Sequence, residues 1–283
     1  MTHAASTAVR SAPARVARFS IHGIDVRVET DDPEAAAAVV TTYAAFAIPL
    51  DAGAAPGHVV RHRSVPGVSP VLALLDQVVD VVLTGLAAQG ILVIHAGVVT
   101  IDGRAVLLSG RSGAGKSTLT LALVRAGAGW LTDELALIAT DDVTVFPYPR
   151  TIHVSPQTVA LLPELDFLAP RPRQALGGDS EWSVSPNDVM RAFGGKLATP
   201  TRLAGIVLLS DRPDATRVPR LRAVPAALAT MELLGETPAT ARDFTGTMAR
   251  LAAITQNVAC VQLDVGGLQA TEATVRAWAG TLS

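Results

Sequence analysis

Residues 104–139 read RAVLLSGRSGAGKSTLTLALVRAGAGWLTDELALIA, and this stretch decides the fold. AVLLS is an apolar, strand-like run. It leads into Gly110-Arg111-Ser112-Gly113-Ala114-Gly115-Lys116-Ser117, which matches the spacing G-x-x-x-x-G-K-[ST]. STLTLALVRAG then carries apolar residues at helical spacing and stops at Gly127. A strand, a glycine-rich loop and a helix in that order make a phosphate-binding device. The glycines let successive backbone N–H groups face one concavity. The helix N-terminus adds unpaired donors and the positive end of its dipole. Lys116 is expected to set its charge against the β- and γ-phosphates, and Ser117 to bind magnesium through its hydroxyl. Thr118 would support the same helical turn. A chance match in a glycine-rich turn would not bring the flanking strand and helix with it.

A nucleotide site also needs a carboxylate for magnesium. WLTDELALIA reads as one strand returning beside the loop, and it carries Asp133-Glu134, with Asp133 17 residues past Lys116. Adjacent strand residues point to opposite faces, so a strand end or a bulge is needed for both carboxylates to reach one site. Asp133 is the expected partner of magnesium or of an acceptor hydroxyl, and Glu134 a base or outer-shell magnesium partner. Asp141 and Asp142 read as ordinary turn residues. Upstream, His95 interrupts the apolar run ILVIHAGVVT. It is either a core histidine with a hydrogen-bond partner or a group facing the transferred phosphoryl.

Working outward, residues 15–30 alternate around His22-Gly23 as two short strands, and Asp32-Pro33 can open a helix over 34–46. A turn-rich stretch follows, which closes a small N-terminal region of strands and a helix at residues 1–68. Residues 69–283 form the nucleotide-binding domain, beginning with a helix from Ser69-Pro70 to about Ala88. Asp102-Gly103 marks a hairpin. Residues 147–202 read as a loop-rich excursion suited to a binding loop or lid. Residues 203–210 return to a buried strand, and helix, helix, strand and helix complete the chain.

The composition of this 283-residue chain is 49% hydrophobic and 17% charged, which suits a substantial core. A net charge of -2 gives no support to a nucleic-acid surface. The one cysteine, Cys260, lies in an apolar run and excludes a disulfide framework. Asp76 and Asp80 interrupt the longest apolar stretch, so stable membrane insertion is not expected. The N-terminus lacks a secretory pattern, and a cytoplasmic location is expected.

Taken together, IHAGVVTIDGRAVLLSGRSGAGKSTLTLALVRAG and GWLTDELALI resemble the C-terminal domain of the HPr kinase/phosphorylase family, most closely its small diverged relatives. In that family a histidine precedes a hairpin, which leads to the phosphate loop, a helix and an acidic pair. His95, the 110–117 loop and Asp133-Glu134 follow this order, although the family usually carries two aspartates. The resemblance implies an α/β fold of the HPr-kinase and phosphoenolpyruvate-carboxykinase-like type, a P-loop core on a mixed sheet. It also implies ATP and Mg2+ as cofactors, and transfer of the γ-phosphoryl group to a serine of a peptide or protein. Diverged relatives point to a ribosomally made peptide precursor as acceptor. The glycine- and arginine-rich signature of the classical enzymes has no counterpart here, so phosphorolysis is not implied. Lys116, Asp133, Glu134 and His95 become the expected catalytic set. Arg150, Arg171, Arg173, Lys196 and Arg202 are candidates for a further cation at the γ-phosphoryl group, Arg150 foremost. An ATPase or GTPase switch, or a nucleotide-binding scaffold without kinase activity, would use the same loop.

Overall fold

The computed structural model describes residues 14–282, apart from 54, 64, 66, 177–178, 211–212 and 239–242. The chain divides between Gly85 and Leu86 into two compact units.

In the N-terminal unit, β1 (Ala14–Ile21) and β2 (Ile24–Thr30) form the hairpin that the alternation foretold. His22 and Gly23 take φ of 48° and 81° at its turn. α1 (Pro33–Thr42) starts at Asp32, whose carboxylate accepts from the Ala35 N–H at 2.8 Å. β3 (His58–His62) adds parallel to β2. Phe19 stacks on Tyr43 with centroids 4.5 Å apart. α2 (Pro70–Ala88) buries Leu74, Val78 and Val82, spaced four residues apart, and exposes Asp76 and Asp80. It is the one helix among the described residues long and apolar enough to cross a membrane. The sequence set the boundary at residue 68, before this helix. The division instead falls within it, and Gly85 lies so close to Ile24 that a Cβ there would be 2.7 Å from Cδ1.

The larger unit is a mixed α/β layer structure. In chain order its elements are β4 (Ile91–His95), β5 (Gly97–Ile101), β6 (Arg104–Ser109), α3 (Lys116–Arg125), β7 (Gly129–Thr132), β8 (Leu135–Ala139) and β9 (Thr144–Phe146). There follow β10 (Ile152–Val154), α4 (Pro156–Leu161), β11 (Gln174–Leu176), β12 (Asp179–Val184), α5 (Pro186–Phe193) and β13 (Thr201–Leu209). β14 (Arg220–Ala223), α6 (Ala226–Gly235), α7 (Phe244–Asn257), β15 (Ala259–Asp264) and α8 (Leu268–Ala279) end the chain. β13 lies between β6 and β15, parallel to both, while β5, β7, β8, β9 and β14 pair antiparallel. Period-two alternation sends Val106, Leu108 and Val207 into one apolar layer with Leu121, Leu123 and Val275 of α3 and α8. Leu107, Ile206 and Leu208 enter the opposite layer with Leu233, Leu251 and Ile254 of α6 and α7. Each fully buried aliphatic side chain contributes about 1.5–3 kcal/mol, so the strands that carry the site are anchored on both faces.

Two expectations change. Residues 147–202 are organised rather than loop-rich, since β10, β12 and β11 form their own three-stranded sheet with α4 and α5. Short strands with polar alternating residues left too weak a periodicity to read. ILVIHAGVVT and WLTDELALIA, each read as one strand, are both broken in the middle. β4 pairs with β8, but β5 pairs with β7, so the sheet turns a corner at Ala96 and at Asp133-Glu134.

Candidate active site

That corner builds the site. The Ala96 N–H donates to the Glu134 carbonyl at 3.1 Å, which joins the two breaks. The buried Thr132 hydroxyl accepts from the Glu134 and Leu135 N–H groups, both at 3.3 Å, and bends the chain between β7 and β8. The strand end that would let both carboxylates reach one region is therefore present.

The glycine-rich loop connects β6 to α3. Gly113 and Gly115 take φ of 82° and 92°, where a side chain would be strained. At Gly110 a side chain would crowd its neighbours, since a Cβ would sit 3.1 Å from the Leu209 carbonyl oxygen. Arg111, Ser112 and Gly113 are exposed, whereas Ala114 is buried. Lys116 folds back over the loop, and Nζ donates to the Gly110 carbonyl at 2.5 Å and the Arg111 carbonyl at 3.5 Å. Its burial lowers the ammonium pKa, against the opposing fields of Glu236 and Asp133. The Thr118 hydroxyl pairs with that of Thr158 in α4 at 2.8 Å.

Asp133 is the electrostatic centre. Burial pushes its pKa up from 3.8 to about 6; Ser117 pulls the other way, and the negative charge of Glu134 adds to the rise. The hydroxyls of Ser117 and Thr120 lie close enough to favour the ionised form. Even so, Asp133 Oδ1 and Thr120 Oγ1 are buried without a hydrogen bond of ordinary geometry. A sealed carboxylate oxygen with an open valence, beside a serine hydroxyl, fits a hard divalent cation. Among the described residues no group of three or more His, Cys, Asp or Glu side chains surrounds it. Magnesium held by Ser117 and Asp133 would thus take its other oxygens from phosphate and water, as that ion prefers.

Gly97 makes this packing possible. A Cβ on it would meet Thr120 Oγ1 at 2.4 Å and approach Asp133 Oδ1 to 3.8 Å. Gly97→Ala is therefore expected to push Thr120 and α3 away from β5, with a stability loss of about 1–3 kcal/mol in chemical denaturation. Wild-type stability would mean that Thr120 turns away without cost.

Glu134 is half exposed, and its Oε2 lies 3.1 Å from Nη1 of the buried Arg150. Arg150 also lies over the Tyr148 ring, 5.8 Å from the centroid. Three of the other candidate cations have partners of their own. Arg171 pairs with Asp188 at 2.8 Å, Arg173 lies over Trp182 at 5.3 Å, and Arg202 faces Asp142. Lys196 is exposed, and only its backbone is tied down among the described residues, its carbonyl accepting from Trp130 N–H at the edge of β7.

His95 ends β4. Its backbone N–H donates to the Glu236 carbonyl at 2.7 Å, and its Nδ1 lies 3.4 Å from Glu236 Oε2. Burial and the Lys116 charge lower its pKa; Glu236 and Glu134 oppose them. Sequence reasoning missed Glu236, which closes α6 more than a hundred residues from the loop and belongs to no motif. It also missed His153 on β10, whose pKa is lowered by burial and by Arg150 against the field of Glu134. Thr120 carried a signal that went unused, since it lies one helical turn beyond Lys116 on the same face.

No protein-family model matches the chain, and no curated protein matches it. Among solved structures it is similar to the Hpr(Ser) kinase/phosphatase from Coxiella burnetii, with 16% identity and a TM-score of 0.34 over 66% of this chain and 95% of that one. A likeness of that size does not fix chemistry, which must come from the site's own residues.

Proposed function

We propose that this chain is an ATP- and magnesium-dependent kinase that transfers the γ-phosphoryl group to a serine hydroxyl of a peptide or protein. One observation carries the catalytic part of this reading. A carboxylate with one buried, unsatisfied oxygen lies beside the lysine and serine that begin the helix after a glycine-rich loop. The acceptor class comes from the resemblance of the 90–140 segment to the HPr kinase family.

The backbone N–H groups of residues 110–117 would cradle the β-phosphate. Lys116 would leave the loop carbonyls and set its charge on the β,γ-bridge. Ser117 and Asp133 would hold magnesium, which when bound neutralises charge on the β- and γ-oxygens. Arg150 holds Glu134 at the rim, so this pair gives the acceptor a charged edge to register against. Catalysis of this kind is mostly positioning and charge stabilisation.

Incubation with magnesium and γ-labelled ATP, with peptides encoded by neighbouring genes as acceptors, tests the proposal. Label is expected on a peptide serine and not in the Lys116→Ala control. Lysine-dependent release of free phosphate, with no label on any acceptor, would favour an ATPase or GTPase switch instead.

A further inference from the structure

Glu236 has no place in the phosphate-binding machinery, yet it is fixed to its rim. α6 ends at Gly235, and the next residue meets the end of β4 twice, once through its carbonyl and once through its carboxylate. The carboxylate side chain is only 17% exposed, while His95 is 46% exposed, so the acid is held inside and the imidazole opens outward. An ionised carboxylate can only accept, so its approach to within 3.4 Å of Nδ1 favours the tautomer of neutral His95 that carries its proton there. Nε2 is then left with a free lone pair on a side chain close enough to Lys116 to feel its charge.

The two carboxylates at the corner already have other partners. Asp133 is the proposed magnesium ligand, and Glu134 is tied to Arg150. We propose that His95 is the base of the transfer reaction and that Glu236 is its positioning residue, a proposal that rests on the kinase reading above. The serine hydroxyl gives its proton to Nε2 as its oxygen bonds to the γ-phosphorus. The bond from that phosphorus to the β,γ-bridging oxygen breaks, and the electron pair leaves with the nucleoside diphosphate. Glu236 offsets the charge of the imidazolium, which then returns its proton to solvent. A carboxylate that fixes the imidazole tautomer and steadies the imidazolium is the general logic of an oriented base.

The test pairs a measurement on the resting protein with one on turnover. Nitrogen chemical shifts of the His95 ring should show the Nδ1-protonated tautomer in the wild-type protein and a mixture in Glu236→Ala. With magnesium, ATP and an acceptor, E236A should lose about 100-fold in kcat with little change in KM for ATP. Glu236→Gln keeps an acceptor oxygen without the charge, so it should retain the tautomer and lose less; it also serves if E236A folds poorly. The double variant with His95→Asn should be no slower than H95N alone. The acid limb of kcat should follow His95, which faces Lys116, Glu134 and Glu236. An unchanged tautomer in E236A, or losses that multiply in the double variant, overturns the proposal. The tautomer is read without turnover, so a wild-type protein that transfers no phosphoryl group counts against the kinase reading while the Glu236–His95 pairing is still decided.

Discussion

Lys116→Ala should lower triphosphate turnover by about 10²–10³-fold while leaving a folded protein. The size follows from removing one preorganised positive charge from a site where negative charge shifts during reaction. The survival of the fold follows from what Lys116 does at rest. Among the described residues, Nζ donates to the Gly110 and Arg111 carbonyls, both on the loop itself. The ammonium also resists burial, since desolvation is the largest influence on its pKa. An alanine gives up two hydrogen bonds but removes a charge that the interior disfavours. Circular dichroism and thermal unfolding close to wild type, with triphosphate affinity and turnover both reduced, are the expected results. A folded variant with normal turnover would remove Lys116 from the chemistry and, with it, the assignment of the loop.

The residues differ in how clearly they announced their place. The loop was legible because its identities, the strand before it and the helix after it are adjacent in sequence. Local physics decides such a unit, and β6 and α3 appear where the apolar runs put them. The corner was only half legible. Asp133-Glu134 stood out as charges in an apolar run, but the break of β7 from β8 depends on Thr132 and on pairing with β4 and β5. Those pairings are long-range, and no window of sequence contains them. Glu236 was not legible for the same reason: a glutamate after a helix has many possible neighbours, and the fold alone selects His95. Arg150 was separable from Arg171 and Arg173 only weakly, by its position after the acidic strand. The structure separates them by what each one touches, Glu134 in the first case and Asp188 and Trp182 in the others.

Exchanging Asp133 for asparagine should have two effects of opposite sign. Turnover should fall by about 10²–10³-fold, and its dependence on magnesium should flatten, while nucleotide binding without metal changes little. Stability should move the other way. The folded-state pKa of about 6 exceeds the ordinary 3.8, so between these values the folded chain binds more protons than the unfolded one. Wild-type stability must then fall as pH rises through that window, and above pH 6 the ionised carboxyl costs about 2–3 kcal/mol. Asparagine fits the same space and stays neutral. Without metal, D133N should therefore unfold a few degrees above wild type at pH 7–8, and the gap should close below about pH 4. Magnesium with nucleotide should raise the wild-type transition more than that of D133N, because binding draws on the unsatisfied Oδ1 that asparagine lacks as an anion. A variant that keeps its magnesium dependence and gains no stability would place Asp133 outside the site. A variant that is more stable and inactive would show that the interior tolerates this carboxylate for its chemistry, since the fold alone is better served without the charge.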